Sequence, residues 1–460
     1  MPFILNKYYP SRNIFFFLGE GLLIFLAISG VYFFFKGPVL YAEAFALYTL
    51  RAFSVTLIFQ FSLYFFDLYD LSAEKSVAED FVRITQAFGV GCVVLGIVYF
   101  FIPVIMISTR IFWIGYGAIC GSIFFWRFLY NYVLERRMFA QPIVILGTGE
   151  MAANIADAII KERDSGYKIV SLIGERAAHP LPENVALSPE IDELPDLCRK
   201  NKVEKIVVAL DDRRGKTPIR ALLRCKLDGI TIIEGITFYE GLTGKILVEK
   251  VNPSWLIYSS GFKVCRWCVF TKRLIDVIVS FFGLLVSLPL TLISAAIIKI
   301  ESPGPVFYTQ ERVGEKGQVF NVIKFRSMRS DAEKDGPVWA MKNDTRVTRF
   351  GGFIRKVRID EIPQMWNVLK GEMSFVGPRP ERPVFVEQLT ASIPYYSLRH
   401  SVKPGITGWA QICYPYGASE EDALRKLEYD LYYIKNLTIS MDFWIIFQTI
   451  KTVLFQKGSR

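Results

Sequence analysis

Long apolar runs alternate with polar stretches along the first third of the chain. Four of these runs, at 14–35, 44–66, 84–107 and 111–133, approach the ~20 residues that a helix needs to cross a bilayer. The first run is too long and too rich in Phe for a cleaved signal peptide, and no small-residue cleavage site follows it. The pattern therefore predicts a four-helix transmembrane bundle over residues 1–137.

Basic residues set the predicted orientation of these helices, because positive charge favours the cytoplasmic side of a membrane. Two basic residues fall on one side and six on the other: Lys36 and Arg110 against Lys7, Arg12, Lys75, Arg83, Arg136 and Arg137. The N-terminus and residue 137 are therefore expected in the cytoplasm. Glu20 and Arg51 lie inside predicted spans, where a charge is either functional or paired within the bundle.

A fifth apolar run, 277–298, has 22 residues and no charge. Lys272 and Arg273 precede it and Lys299 follows it, so both flanks favour the cytoplasmic side. Pro289, two residues after Ser287, removes a backbone hydrogen bond in mid-run and kinks a helix. A simple span would export the basic remainder of the chain. We therefore expect a re-entrant helix over 272–300, broken near Ser287 and Pro289, that enters and leaves on one face.

Between these membrane segments, short apolar runs alternate with helical patterns. Strands are predicted at 143–146, 168–173, 205–210 and 231–233, which indicates a parallel, doubly wound Rossmann-like α/β domain over 138–250 and a linker over 251–271. Gly147 and Gly149 follow the first strand and open a helix, as in dinucleotide-binding loops, and Glu175 follows the second strand, where a ribose-binding acid would lie. An unidentified nucleotide could bind there. A domain without ligand that serves assembly or regulation fits equally well.

Composition narrows the chemistry. Seven scattered cysteines do not suit a disulfide framework and fit a reducing compartment. The two histidines, His179 and His400, argue against a histidine triad or a histidine-rich metal site, so carboxylates are expected to carry any acid–base or nucleophilic chemistry. Residues 271–460 have 26 Lys and Arg against 19 Asp and Glu, or +7 of the net +10, which favours an anionic partner: nucleic acid, acidic lipid or a phosphorylated substrate.

Asp360 and Glu361 form an adjacent carboxylate pair in this basic region. Carboxylates among arginines suit a diphosphate with Mg²⁺, one carboxylate binding the metal while the other attacks phosphorus. Neighbouring cations would hold Asp360 ionised. A surface helix start with ordinary salt bridges would give the same pair. The cations predicted to bind phosphate are Lys324, Arg326, Arg355, Arg358 and Arg379.

Short motifs surround this pair: Ser302-Pro-Gly-Pro305, Gln310-Glu-Arg312, Lys324-Phe-Arg326-Ser-Met328, Asp344-Thr-Arg346, Asp360-Glu361-Ile-Pro363, Gly377-Pro-Arg-Pro380 and Lys403-Pro-Gly-Ile-Thr-Gly408-Trp-Ala-Gln411. Over 272–460 they resemble the bacterial polyprenyl-phosphate hexose-1-phosphate transferases. The four spans and the Rossmann-like domain resemble the long, exopolysaccharide-type members. The resemblance implies a re-entrant membrane helix and a small, mostly helical catalytic domain over 301–460 that ends in an amphipathic helix.

The resemblance also implies a two-step reaction. Asp360 would attack the β-phosphate of a UDP-sugar, with glucose or galactose as the sugar, and UMP would leave. Polyprenyl phosphate, as undecaprenyl phosphate, would then take the phosphosugar from Asp360. Glu361 would bind Mg²⁺, while Arg355 and Arg379 would hold phosphate oxygens. The chain departs from much of the family after Gln411, where Ile412-Cys-Tyr-Pro415 replaces Val-Asn-Gly-Arg, so uridine recognition is expected to be built differently.

These expectations describe a homodimer in the bacterial inner membrane, with its catalytic domain on the cytoplasmic face, membrane lipids as partners and no nucleic acid. Two other functions stay open at this point. One is an NAD-dependent membrane sugar-nucleotide enzyme that uses the Gly147 loop. The other is a non-enzymatic scaffold for polysaccharide assembly.

Overall fold

The computed structural model describes residues 3–4, 7–8, 11–69, 77–135, 140–162, 165–174, 186–188, 191, 193–210, 217–262, 266–329, 346–415, 417 and 419–454. The chain divides into two compact units, Met1–Phe238 and Tyr239–Arg460. The first contains long apolar helices and an α/β domain. The second contains a further apolar helix and a small domain of helices and short strands.

The N-terminal helices share one hydrophobic core, to which Ile28, Phe59, Phe88 and Ile119 each contribute from a different helix. Many large apolar side chains on their outer faces are exposed, as lipid-facing positions are. Each of the four predicted runs forms a helix long enough to cross a membrane. The elements are β1 (Phe3–Ile4), β2 (Lys7–Tyr8), α1 (Ser11–Glu43), α2 (Phe45–Phe65), α3 (Val77–Phe101) and α4 (Thr109–Glu135).

The middle domain contains a parallel sheet, which confirms the α/β prediction. Its strand order is β5-β4-β3-β6-β7, so the order reverses between β3 and β6, as in doubly wound folds. Ile143 to Leu146 are buried in β3, since a central parallel strand is covered on both faces. The elements are β3 (Gln141–Leu146), α5 (Glu150–Lys161), β4 (Tyr167–Ile173), β5 (Ala186–Ser188), α6 (Leu194–Lys200), β6 (Lys205–Val208), α7 (Ile219–Leu227) and β7 (Thr231–Glu234).

The small domain is mostly helical, with two pairs of short strands: β8 and β9 form an antiparallel hairpin, and β10 and β11 pair in parallel. The elements after the sheet are α8 (Gly235–Thr243), α9 (Pro253–Tyr258), α10 (Arg266–Glu301), β8 (Phe307–Val313), β9 (Val319–Phe325), α11 (Arg349–Lys356), α12 (Gln364–Lys370), β10 (Ser374–Val376), α13 (Pro383–Ser392), β11 (Gly405–Thr407), α14 (Trp409–Cys413), α15 (Glu420–Lys435) and α16 (Ile439–Leu454).

Residues 239–262 pack on α15 within the second unit. Lys245 Nζ lies 3.2 Å from Glu428 Oε2, and Lys435 pairs with Glu240. The Lys435 ammonium also lies 4.1 Å from the centre of the Trp255 indole ring. The second unit therefore begins before residue 250, where the sequence pattern placed the end of the middle domain, and the predicted linker contains α9 and the first turns of α10.

The fifth apolar run lies within α10, a single helical element that continues through Pro289. The buried side chains of α10 lie towards its two ends, at Asp276, Ser280, Ser294 and Ile298. Between them its large apolar side chains are exposed. The helix is long and apolar enough to cross a membrane, and the predicted break at Ser287 and Pro289 stays a prediction.

Candidate active site

Asp360 and Glu361 lie on a short 3₁₀ turn, 359–361, between α11 and α12, and each is only 8% exposed. Arg358, just before the turn, has a left-handed backbone with φ of 60°, which costs energy for a residue other than glycine. Pro363 then caps the start of α12. This connection buries two adjacent carboxylates, which destabilise each other's charge unless cations lie near them.

Cations hold Glu361 ionised. Arg379 Nη2 donates to Glu361 Oε1 at 2.9 Å, and Arg358 Nη1 donates to the same oxygen at 3.2 Å. Burial raises the pKa of Glu361, but the attraction of Arg379, Lys324 and Arg358 outweighs it and holds that pKa at about 2. Glu361 is thus a fixed negative charge that orients two guanidinium groups.

Asp360 is less well satisfied than its neighbour. Its Oδ1 is buried and has no hydrogen-bond partner among the residues that the structure describes. Burial, followed by repulsion from Glu361, raises the pKa of Asp360 to about 6, although Lys324, Arg358 and Arg355 oppose that rise. The cations therefore lower the pKa of Asp360 as expected, but burial raises that pKa by more. At pH 7 Asp360 is mainly ionised and carries an unpaired oxygen, as a nucleophile requires.

Lys324 brings a further cation to the pair from β9. Burial, and then the charge of Arg379, lower the pKa of the Lys324 ammonium to about 8. Asn367 on α12 fixes this strand: its Oδ1 accepts from Ile323 N at 3.0 Å, and its Nδ2 donates to Asn321 O at 2.7 Å. Asn367 is fully buried and joins the helix after the carboxylate pair to the strand that carries Lys324. Sequence reasoning missed it.

Arg379 lies in a loop that follows β10 and is locked against the turn before β11. A Cβ on Gly377 would lie 2.3 Å from Lys403 O, and a Cβ on Gly405 would lie 2.1 Å from Gly377 N. Only glycine permits this contact between the two backbones. The Gly-Pro-Arg-Pro and Lys-Pro-Gly motifs are therefore two sides of one structure that presents the Arg379 side chain to Glu361.

The backbone carbonyl groups of the two residues after Arg379 accept hydrogen bonds from β8. Arg312 Nη1 donates to Pro380 O at 2.9 Å, and Val313 N donates to Glu381 O at 2.9 Å. The Arg312 guanidinium lies near the Glu381 carboxylate, 3.5 Å from Nη1 to Oε2. The Gln-Glu-Arg motif at the end of β8 thus supports the Arg379 loop.

The chain is similar in sequence to known proteins. Residues 267–456 match the bacterial sugar transferase family, and residues 64–233 match a CoA-binding domain family. The UDP-N-acetylgalactosamine-undecaprenyl-phosphate N-acetylgalactosaminephosphotransferase of Aeromonas hydrophila is 37% identical over 347 residues, which are 75% of this chain and 79% of that protein. The chain belongs to the bacterial sugar transferases, the polyprenyl-phosphate hexose-1-phosphate transferases that its motifs resemble.

Two further relatives match the transferase over most of its length. The UDP-glucose:undecaprenyl-phosphate glucose-1-phosphate transferase of Xanthomonas campestris pv. campestris is 33% identical over 338 residues, 71% of this chain and 69% of that protein. The undecaprenyl-phosphate glucose phosphotransferase of Komagataeibacter xylinus is 32% identical over 340 residues, 72% of this chain and 62% of that protein. All three names contain undecaprenyl phosphate, while the sugar is N-acetylgalactosamine in one name and glucose in the other two.

Arg355 and Arg326, two further predicted phosphate ligands, have different surroundings in the transferase. Arg355 Nε donates to Ser327 Oγ at 2.8 Å, and the Arg355 charge acts on Asp360. Arg326 instead donates to Ser302 O at 2.7 Å and to Pro303 O at 3.0 Å. Arg326 thus holds the turn after α10, and only its buried Nε lacks a partner among the described residues. Its role in phosphate binding stays a prediction.

The first turns of α10 hold α12 and β10, the two elements that lie between the carboxylate pair and Arg379 in the chain. Three side chains bind backbone groups there: Lys272 Nζ donates to Val376 O (3.0 Å), Arg273 Nη2 donates to Leu369 O (2.8 Å) and Asp276 Oδ1 accepts from Phe375 N (3.0 Å). From sequence alone, Lys272 and Arg273 indicate only the orientation of this helix in the membrane. In the structure they connect the apolar helix to the catalytic domain.

The last turns of α10 contact β9 and α11, the elements that carry Lys324 and Arg355. Ile298 packs against Phe325 at the end of β9 and against Ile354 on α11. Glu301 Oε1 accepts from Phe350 N at 3.0 Å, at the start of the helix that carries Arg355. Both ends of α10 therefore contact one small domain.

In the predicted nucleotide loop of the middle domain, the fold itself requires glycine at position 147. Gly147 has φ of 128°, and a Cβ there would lie 2.3 Å from Ala209 O after β6. The close approach of these loops thus requires glycine with or without a ligand. Gly149 is the N-cap of α5. Glu175 lies outside the described residues, so the nucleotide site stays a prediction.

Proposed function

We propose that this transferase moves a hexose-1-phosphate from a UDP-sugar to polyprenyl phosphate through a covalent intermediate on Asp360, with release of UMP. In its relatives the lipid is undecaprenyl phosphate. The observation that carries the proposal is the unpaired, buried Oδ1 of Asp360 beside an ionised Glu361 and its arginines. We place the reaction at the first membrane step of exopolysaccharide synthesis.

In the first step, a carboxylate oxygen of Asp360 attacks the β-phosphorus of the UDP-sugar. An oxygen–phosphorus bond forms while the bond from this phosphorus to the oxygen shared with the α-phosphate breaks. UMP leaves with that electron pair. In the second step an oxygen of polyprenyl phosphate attacks the same phosphorus, and the Asp360 carboxylate leaves unchanged. The relay divides one difficult transfer into two steps, each made easier by cations at the phosphate.

The cations around the pair are suited to the charge that moves in these steps. Arg379, Lys324 and Arg355 are half-buried, so their attraction for phosphate oxygens is stronger than it would be in bulk water. Glu361 holds Arg379 by a charge-assisted hydrogen bond before substrate arrives, so the guanidinium need not reorganise during the reaction.

Mg²⁺ fits this site as a companion of the diphosphate. Mg²⁺ is commonly bound by one or two carboxylates together with substrate phosphates and water. Arg379 and Arg358 take Oε1 of Glu361, so Glu361 would offer Oε2 to the metal. The described residues contain no cluster of three Asp, Glu, His or Cys side chains able to hold a metal alone, which agrees with a metal shared with the diphosphate. When bound, Mg²⁺ would neutralise diphosphate charge.

The membrane arrangement follows from α10. Its two ends contact one small domain, while its middle exposes Phe281, Val286 and Ile293. A straight span would separate those ends by the ~30 Å hydrocarbon core of the bilayer. We therefore propose that α10 re-enters the cytoplasmic face of the inner membrane, that α1 to α4 form a four-span bundle, and that the catalytic domain lies in the cytoplasm.

Cysteine labelling tests this topology. In a cysteine-free background, Thr271→Cys and Ser302→Cys at the two ends of α10 should both react with an impermeant maleimide in inverted vesicles and not in intact spheroplasts. Labelling of Ser302→Cys from outside the spheroplasts would show a simple span. Light scattering of the purified protein tests the expected homodimer.

The reaction is tested with purified protein, Mg²⁺, undecaprenyl phosphate and a panel of UDP-glucose, UDP-galactose and UDP-N-acetylgalactosamine, with UMP as the readout. Omission of the lipid should leave one phosphosugar per active site, found by mass spectrometry on the peptide that contains Asp360. EDTA should stop UMP release and added Mg²⁺ should restore it. Absence of UMP with every donor contradicts the proposed function. UMP release with lipid but no adduct without it contradicts the covalent step.

A further inference from the structure

A buried guanidinium lies behind the Arg379 loop. Arg399, in the short 3₁₀ helix 396–401, is 6% exposed. Its Nη2 donates to Arg379 O at 3.0 Å and to Asp430 Oδ2 at 2.8 Å, while Nη1 donates to the Tyr396 hydroxyl. Asp430, on α15, is 2% exposed. The two N–H groups of one nitrogen therefore connect a carboxylate on α15 to the backbone of an active-site arginine.

Arg379 is consequently held at both of its ends. Its carbonyl accepts from Arg399, and its own guanidinium donates to Glu361 at 2.9 Å. The Arg399 charge is in turn neutralised by Asp430, inside the protein where an unpaired charge is expensive. Loss of the Asp430 charge would leave Arg399 without its counterion, and the bond to the Arg379 carbonyl would have to rearrange.

We propose that Arg399 and Asp430 form a positioning pair that fixes the Arg379 backbone and so sets how Arg379 binds the diphosphate. The inference rests on the proposed function only for its effect on catalysis. Arg399 acts through Arg379 and not on the substrate. Sequence patterns gave no sign of the pair, because its members lie on separate elements.

Two conservative variants test the pair. Arg399→Lys and Asp430→Asn should each lower kcat/KM for the UDP-sugar by about ten- to a hundredfold, since small displacements of a positioning group have effects of this size. In an Arg379→Lys background the same changes should lower kcat/KM by less than about threefold, because residues that act through one another are not additive. If each change lowers kcat/KM by the same factor in the Arg379→Lys background as in the wild type, the proposal is contradicted.

A matched control concerns a second buried ion pair of α15, in which Lys435 pairs with Glu240 on α8. Glu240→Gln breaks the buried Lys435–Glu240 pair, whose side chains are as enclosed as those of Arg399 and Asp430. It should lower the Tm as Asp430→Asn does and leave kcat/KM within about twofold of the wild type. An equal loss of kcat/KM in Glu240→Gln would mean that any weakening of α15 impairs the enzyme, and would overturn the specific role of Asp430.

Hydrogen exchange supplies a readout that needs no activity. Asp430→Asn should speed amide exchange in the peptide that covers 376–382 and leave the β8–β9 hairpin unchanged. Unchanged exchange in 376–382 overturns the positioning pair even if the wild type is active. If the wild type releases no UMP with any donor, the proposed function is refuted. The positioning pair still stands in that case if Asp430→Asn speeds exchange in 376–382.

Discussion

Two buried charge clusters in this chain have opposite arrangements. Among the N-terminal helices, Glu20 is fully buried and both of its oxygens accept from Arg127, at 2.9 and 3.2 Å. Arg127 also donates to Leu68 O at 2.9 Å and lies 5.3 Å from the Phe16 ring centre. In the catalytic domain, by contrast, the buried Oδ1 of Asp360 has no partner among the described residues.

The difference in hydrogen bonding distinguishes a charge pair that stabilises the fold from a carboxylate that is available for reaction. A buried oxygen without a hydrogen bond costs about 1–3 kcal/mol. At Asp360 this oxygen belongs to a carboxylate among cations that can bind phosphate, which is the setting that a nucleophile needs. Glu20 has no such oxygen, which favours pairing over function for this intramembrane charge. Arg51, another charge inside a predicted span, donates to Val104 O at 3.0 and 3.1 Å and is likewise engaged by the protein.

The largest expected effect comes from Asp360→Asn. The amide keeps the shape but is not a nucleophile, so UMP release should fall by about a thousandfold or more. The Tm should stay equal or rise, because the repulsion between Asp360 and Glu361 disappears. Kinetics and thermal unfolding of the same sample check both outcomes. More than a tenth of wild-type activity would rule out Asp360 as the nucleophile.

Glu20→Gln should show the reverse behaviour. It leaves the Arg127 charge buried without its counterion and should destabilise the N-terminal helices by about 3–5 kcal/mol. The kcat of protein that stays folded in nanodiscs should remain near the wild-type value. Glu20→Leu with Arg127→Met should recover most of the lost stability, since apolar replacement of a buried pair is often neutral. Lost kcat at unchanged stability would reveal a functional role for Glu20.

A smaller effect is expected from pH. Asp360 must be ionised and has a pKa of about 6, whereas Lys324 must be protonated and has a pKa of about 8. The kcat/KM for UDP-sugar should therefore fall below pH 6 as Asp360 gains a proton, and above pH 8 as Lys324 loses one. Outside these limits the fall should be about tenfold per pH unit.

Lys324→Arg provides the control for this profile. An arginine stays protonated throughout the range, so the alkaline limb should move beyond pH 9 while the acid limb stays in place. An alkaline limb that does not move assigns it to a group other than Lys324.

Local patterns predicted much of this molecule. The strands of the middle domain were predicted from their apolar runs, because a parallel strand that is buried on both faces has consecutive apolar residues. Asp360 and Glu361 were predicted from their neighbours in sequence, and their catalytic role stays a prediction. Arg326 shows the limit of such reasoning. It belongs to the same motif as Lys324, and strand alternation would place both side chains on one face. Because β9 ends at Phe325, Arg326 lies beyond the strand, and its guanidinium binds Ser302 and Pro303 instead.

The groups that orient the site were beyond sequence reasoning for a physical reason. Asn367, Arg399 and Lys272 each bind the backbone of a residue far away in the chain. Every residue has a backbone carbonyl oxygen, so the amino-acid sequence does not indicate which of these oxygens a side chain will bind. Ser327 had a weak signal, since it lies inside the Lys-Phe-Arg-Ser-Met motif, but its bond to Arg355 needed the fold.

Ser327→Ala therefore gives the smallest and most specific effect. Arg355 Nε loses its acceptor at 2.8 Å while the charge near Asp360 remains. One hydrogen bond of this kind is worth about 1 kcal/mol, so kcat/KM should fall roughly three- to tenfold, mainly through KM if Arg355 binds phosphate. Ser327→Thr keeps the hydroxyl and should retain most activity. If the threonine variant is as impaired as the alanine variant, keeping the hydroxyl does not preserve activity, and the hydrogen bond from Arg355 Nε does not determine the loss.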